Sequence, residues 1–203
     1  MIKDRIAAAA FETLRTEGFA GASSRAIARR GGFNQALVFY HYGSLEALLL
    51  AALQRSSEER LARYRERIED IADLPELLAV LAELHAEDEE SGHMRVVSQL
   101  VAGSLNRPEL GRGVLAVMGP WVELAREALE RVLPREVPAA DLAYAIVVFY
   151  FGINLISHLD PDDRRPDALL ERAQALAPLL EGLSASAGTL DRPSTSPGRA
   201  SGT

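Results

Sequence analysis

Residues Ser23-Ser24-Arg25-Ala26-Ile27-Ala28-Arg29-Arg30-Gly31-Gly32-Phe33-Asn34-Gln35-Ala36-Leu37-Val38-Phe39-Tyr40-His41-Tyr42 read as two short helices joined by a tight turn. Ser23 or Ser24 is placed to cap the first helix, since a hydroxyl oxygen accepts one of the orphan N–H groups there. Ile27 and Ala28 form its inward face, and Ala28 is small because two helices cross over it. Gly32 sits where the turn calls for a positive φ, which glycine adopts without strain. Phe33 plugs the corner, and Asn34 caps the second helix. Val38 and Tyr42 are four residues apart and so face inward. Gln35, Ala36, Leu37, Tyr40 and His41 are left to look outward or along the helix start. An amide, small apolar groups, a phenol and an imidazole on one free face suit a DNA major groove, so this layout is that of a DNA-reading helix-turn-helix.

The segments on either side have helical periodicity too, and none alternates persuasively as a strand. A first helix is expected from about Lys3 to Glu17, with Ile6, Ala10, Phe11 and Leu14 on one face and Gly18 as its stop. Gly43-Ser44 breaks the pattern, and Ser44 caps a long helix reaching about Asp70. The second half of that helix, SSEERLARYRERIED, carries dense opposite charges and reads as a solvated connecting rod. Further helices are expected from Pro75 to about Glu90 and from Gly92 to Leu105. Another is expected from Pro108 to Leu133, with an interruption at Gly119-Pro120. The last two run from Pro138 to His158 and from Pro166 to Leu183. The final twenty residues are small and polar and cannot bury enough surface to offset ordering entropy, so a disordered tail is expected. The chain is read as all-α, with a DNA-binding domain over residues 1–46, a helical body over 47–183 and a tail over 184–203.

With 203 residues, about half of them apolar, the chain has the material for a sizeable core. It contains no cysteine, which excludes disulfides and thiolate metal sites and is compatible with a reducing cytoplasm. Met1-Ile2-Lys3-Asp4-Arg5 lacks the apolar core of a signal peptide, and a cytoplasmic location is expected. Net charge is −7, yet residues 1–46 carry six basic against four acidic side chains, leaving +2 there and −9 in the remainder. A basic head on an acidic body concentrates phosphate attraction at one end. Ala143 to Leu159 is apolar almost throughout but short of the ~20 residues of a bilayer span, and Asp141 and Asp160 flank it. A helix buried in the body or at a subunit contact is expected, and no membrane association.

The first fifty residues resemble the TetR family of bacterial transcriptional regulators. The resemblance rests on a first helix, then Ser23-Ser24-Arg25-Ala26-Ile27-Ala28, the Gly32-Phe33-Asn34 turn, and the exit Phe39-Tyr40-His41-Tyr42-Gly43-Ser44-Leu45-Glu46-Ala47-Leu48-Leu49. It covers about a quarter of the chain. It implies a homodimer that binds a near-palindromic double-stranded DNA operator, most simply as a repressor, and releases it when a small molecule enters the body. Carried over, it gives Ser24 a phosphate contact and Arg25 a base edge or phosphate. Asn34, Gln35, Ala36 and Leu37 lie at the reading tip, and Tyr40 and His41 hold the flanking backbone. The family usually has tyrosine where this chain has Phe39 and lysine where it has Leu45. Two phosphate-binding groups are thus missing, and weaker or less salt-dependent binding is expected.

Other features have two readings each. Arg29 and Arg30 suit phosphate contact or a solvated face. The run from His85 to His93 is rich in carboxylates, but its histidines are not four apart, and solvated charge is preferred to a metal site. His158 with Asp160 could be an acid–base pair, yet no nucleophile motif or phosphate loop accompanies it. Met94, Gln99, Met118, Trp121, Tyr144 and Asn154 mix apolar bulk with polar handles and suit either an effector cavity or a satisfied core, with Trp121 the best marker. Ala143, Ile146, Val147, Tyr150, Ile153 and Asn154 recur at helical spacing and suit a four-helix subunit contact or monomer core. No cofactor, metal or enzymatic activity is expected. The alternatives are a small all-helical enzyme using a body cavity and a helical adaptor using the apolar helix.

Overall fold

The computed structural model describes residues 1–157 together with Leu159, Arg165, Ala168, Leu169 and Arg172. The His158–Asp160 pair, the helix expected over 166–183 (isolated positions aside) and the tail over 184–203 lie outside the described residues. The chain is all-helical where described. Its order is α1 (Ile2–Gly21), α2 (Ser24–Gly31), α3 (Ala36–Tyr42), α4 (Leu45–Ile68), α5 (Leu74–Ser91), α6 (His93–Ser104), α7 (Pro108–Val132) and α8 (Ala139–Ser157).

Local chemistry sets most of the boundaries. The Ser23 hydroxyl accepts from the Ala26 amide at 3.2 Å, and the Ser44 hydroxyl from the Ala47 amide at 3.0 Å, so both serines cap as expected. Gly32 is left-handed, with φ 65° and ψ 42°, and the Phe33 amide closes the end of α2 on the Ala28 carbonyl. The Phe33 ring lies so close over Gly31 that a Cβ there would sit 2.1 Å from it. At Gly18 α1 is broken, with φ 69° and ψ 179°, but the chain resumes helical form for a further turn to Gly21.

Two apolar clusters hold the molecule together. The first joins Ile6, Ala10, Leu14, Ile27 and Val38 to Leu48, Leu49 and Leu53 of α4, and also to Val96, Leu100, Leu110 and Val114 of α6 and α7. The helices α1, α2 and α3 therefore share one core with α4, α6 and α7. The second cluster gathers Tyr64, Ile68, Leu77, Leu84, Leu124, Leu129 and Ala143 at the far end. Burying a large aliphatic side chain contributes about 1.5–3 kcal/mol, so the α1–α4–α6 contact is a strong one.

Two expectations are corrected. The second half of α4 is not a solvated rod, because Ser57, Arg60, Tyr64 and Ile68 are buried. They form one stripe at helical spacing, while Glu58, Glu59, Glu66 and Arg67 occupy the wet faces. Nor is α7 interrupted: it runs unbroken through Pro120. Proline there leaves the carbonyl four residues earlier without its helical donor, and residue 116 is exposed to solvent.

Candidate nucleic-acid interface and the body behind it

Short polar contacts fix the α2–α3 pair. The Asn34 side-chain oxygen accepts from the Ala36 amide at 2.9 Å and starts α3. The Gln35 carboxamide donates to the Ser24 hydroxyl at 2.8 Å, linking the start of α2 to the start of α3. The Ser23 cap satisfies one of the four open N–H groups at the head of α2, and the others point where an anion can bind. Arg25 is exposed beside them, with no hydrogen-bond or ion-pair partner among the described residues. Ala36 is exposed, Tyr40 is 82 % exposed, and the His41 ring meets Tyr40 edge-on at 4.9 Å. These residues make one polar, open surface. Leu37 differs, since it is half-buried against the first core cluster and spends much of its side chain on packing.

The neighbouring arginines divide. Arg30 donates to Thr13 and Thr16 at 3.1 and 2.8 Å and pairs with Glu17 at 2.8 Å, so it staples α2 to α1. Arg29 is 70 % exposed and only 3.9 Å from Glu17, and stays available to an anion. The remaining ties also run to α1. Arg5 donates to the Gly31 carbonyl at 3.1 Å, Tyr42 to the Lys3 carbonyl at 2.9 Å, and Arg55 of α4 to the Asp4 carbonyl at 3.2 Å. The helix α1 is thus the frame on which the α2–α3 pair is mounted.

In the body, burial selects a polar set that the charge-rich sequence hides. The Trp121 indole N–H donates to Ser57 at 2.6 Å and meets Tyr64 edge-on at 5.0 Å. The Arg60 guanidinium, on a residue 3 % exposed, lies 5.7 Å from the Tyr64 ring and 5.9 Å from Trp121. Desolvation lowers its pKa and pushes the Tyr64 phenol up to about 12. His85 Nδ1 and the Tyr150 hydroxyl share a hydrogen bond of 2.8 Å, and Asn154 donates to the Tyr150 carbonyl at 2.8 Å. A groove of roughly 260 Å³ between α4 and α7 opens beside this set, lined by Leu50, Gln54, Ser57, Leu61, Val117 and Pro120.

The six candidate effector residues do not converge. Met94 and Met118 belong to the first cluster and Trp121 to the second. Asn154 is buried on the inner side of α8, whereas Tyr144 is 62 % exposed on its outer side. Gln99 reaches α1 instead, where it accepts from the Phe19 amide. Ser57, Arg60, Tyr64 and His85, which were not among the candidate effector residues, stand around Trp121 or Tyr150, and the spacing of Ser57, Arg60 and Tyr64 was the signal available. Among the described residues no three His, Asp or Glu side chains gather as a metal site.

His93 has a measurable consequence. It is 4 % exposed, shares a 2.8 Å hydrogen bond with Ser56, and stacks on Phe11 at 6.1 Å. Burial, helped by Arg60 and Arg63, lowers its pKa from 6.5 to about 3. The unfolded chain takes up a proton near pH 6.5 that the folded one refuses. Its contribution to stability is therefore full above that pH and is lost as pH falls toward 3, by up to ~1.4 kcal/mol per unit. Urea unfolding between pH 4 and 6.5 should show a shallower slope in His93→Gln than in the parent. Equal slopes would assign the dependence to carboxylates.

Residues 6–52 match the family described as bacterial regulatory proteins, tetR family. The regulator UidR of Escherichia coli K12 is 30 % identical over 108 residues, covering 53 % of this chain and 54 % of UidR. The chain thus matches about half the length of that relative. Over the whole fold, the fatty acid degradation regulator FadR of Bacillus halodurans superposes with a TM-score of 0.72 at 17 % identity, covering 86 % of this chain and 96 % of FadR. The multidrug binding protein EbrR, solved with imidazole, gives 0.64 at 26 % identity, over 87 % and 95 % of the two chains.

Proposed function

We propose that this chain is a tetR-family regulatory protein, a homodimeric, ligand-responsive repressor acting on double-stranded DNA in the cytoplasm. The observation that carries this is the open tip of the α2–α3 pair. There Ser24 and Gln35 are tied to each other, Arg25 is unengaged, and Ala36, Tyr40 and His41 are accessible. Arg25, Gln35 and Ala36 read base edges. Ser24, Arg29, Tyr40 and His41 bind phosphate, with Asn34 holding the start of α3. Two such tips, ~34–36 Å apart or a multiple of that, enter successive major grooves, so the operator is an inverted repeat.

The effector enters the body over Ser57 and Trp121. The groove there falls below the ~300 Å³ at which small-molecule pockets begin, so α4 and α7 part to admit a ligand. That motion sets the ligand's leverage on DNA binding, through its different affinities for the closed and open shapes. Effector contact thus falls first to Ser57, which lines the groove, and to Trp121 hydrogen-bonded behind it, rather than to the exposed Tyr144.

The test is selection of duplexes from a random-sequence pool by the full chain in ~0.1 M salt. Enrichment of an inverted repeat, with affinity that falls as salt rises, is the expected result. A folded dimer that enriches nothing at ~0.05 M salt overturns the reading.

A further inference from the structure

The break in α1 falls where a body side chain takes over the helix's bonding. At Gly18 the backbone leaves the helical region, so the Phe19 amide loses the carbonyl it would have used in an unbroken helix. Gln99 of α6 replaces it, its side-chain oxygen accepting from the Phe19 N–H at 3.0 Å. A Cβ at Gly18 would stand 3.1 Å from that same oxygen. The Phe19 ring is then gripped by the same side of the body. It lies against Gly103, where a Cβ would come within 2.6 Å of three ring carbons, and under the Arg107 guanidinium, 4.7 Å from its centroid. Gln99 and Gly103 stand four residues apart on one face of α6, and Arg107 at the head of α7 adds its guanidinium, so the three form a socket for the end of α1.

We propose that Gln99 is a positioning residue that couples the body to the DNA-reading helices through the broken end of α1. The proposal rests on the DNA-binding reading above. The geometry gives the coupling a definite route. The reading pair is mounted on α1 through Arg30, Arg5 and Tyr42. Beyond the socket, α6 meets α7 and α8, whose Met118, Tyr150 and Phe151 pack on the shared core. A displacement of α6 therefore carries Phe19, and with it α1 and both reading helices, as one piece. Val96 and Leu100 flank Gln99 and Gly103 on the same face of α6 and enter the apolar core, so the socket sets orientation while the core supplies cohesion.

The absence of cysteine allows a single spin label on Ala36→Cys, which reports the tip-to-tip distance in the dimer. Gln99→Leu keeps the bulk and removes the acceptor; Gln99→Glu keeps an acceptor. In the Ala36→Cys background, Gln99→Leu should at least double the width of the distance distribution. In the unlabelled chain it should weaken binding to the selected duplex fivefold or more. Gln99→Glu should stay within twofold of the parent in both. A merely stabilising side chain would lower the melting temperature and leave the width unchanged. Gly103→Ala, which presses a methyl group into Phe19 without touching Gln99, should shift the mean distance, and it decides the matter if Gln99→Leu does not fold. Parental width, mean and affinity in the folded variants overturn the coupling. A parent chain that shows no tip-to-tip distance and binds no duplex overturns the DNA-binding reading itself, so the two failures are distinguishable.

Discussion

Replacing Arg25 and Gln35 together with alanine is expected to lower affinity for the selected duplex about a hundredfold, a loss of ~2.7 kcal/mol, with no change in helix content. Each well-placed base contact from such side chains contributes ~1–3 kcal/mol of discrimination, so two lost contacts account for the effect. Stability should change little. Arg25 has no partner among the described residues, and Gln35 makes one exposed hydrogen bond, to Ser24. Removing such a bond costs ~1 kcal/mol or less. The loss should be larger on the selected sequence than on a scrambled one. A uniform loss on both, with the salt slope reduced by about one unit, would mean that Arg25 reads phosphate alone. Arg30→Ala is the contrasting substitution. Its guanidinium is held by Thr13, Thr16 and Glu17, so the variant should lose stability while the salt slope of binding stays as in the parent. Fluorescence anisotropy across a salt series separates these outcomes.

Features set by three or four neighbouring residues were legible in the sequence. The Ser23 and Ser44 caps, the left-handed Gly32 and the inward Val38 all follow from local backbone chemistry, which needs no knowledge of distant partners. The all-helical plan followed for the same reason. What escaped the sequence depends on contacts far along the chain. Gln99 looks like any polar residue on an amphipathic helix until α1, eighty residues earlier, presents an amide without its acceptor. Arg30 looks like a free cation until Thr13, Thr16 and Glu17 line up opposite it. In α4, charge density concealed a one-residue-wide stripe, because Arg60 can bury an aliphatic stem and a flat cation against two aromatic rings. The apolar α8 shows the same limit. A helix hydrophobic all round gives no periodicity from which to tell its inner face from its outer one. Of the stripe expected at the subunit contact, Ala143 and Asn154 are turned into the monomer instead.

The outer face of α8 gives the second large effect. Tyr144, Val148, Phe149 and Ile156 are 62, 44, 58 and 54 % exposed along one helix, more apolar surface than an isolated domain ordinarily leaves wet. Their spacing lines the side away from Ala143 and Asn154, so the monomer's own core does not depend on them. In the proposed homodimer, a second copy related by a two-fold axis would cover this surface with the same surface and leave no open end. Phe149→Asp combined with Ile156→Asp should therefore convert the dimer to a monomer in light scattering, with circular dichroism unchanged. Two carboxylates on the wet face of a helix cost the monomer little, whereas burying them unpaired at a dimer contact costs several kcal/mol. The effect on DNA should exceed that of the tip substitutions. A monomer makes the contacts of one half-site only, and halving a specific binding energy of ~11 kcal/mol lowers affinity by at least a thousandfold. The same helix has a mean hydropathy of 1.8 over a span-length window, so the parent must also be offered a bilayer. Flotation with phosphatidylcholine vesicles should leave the parent dimer in the aqueous fraction. Recovery with the vesicles, or a double variant that remains dimeric, would assign the face to something other than its own copy.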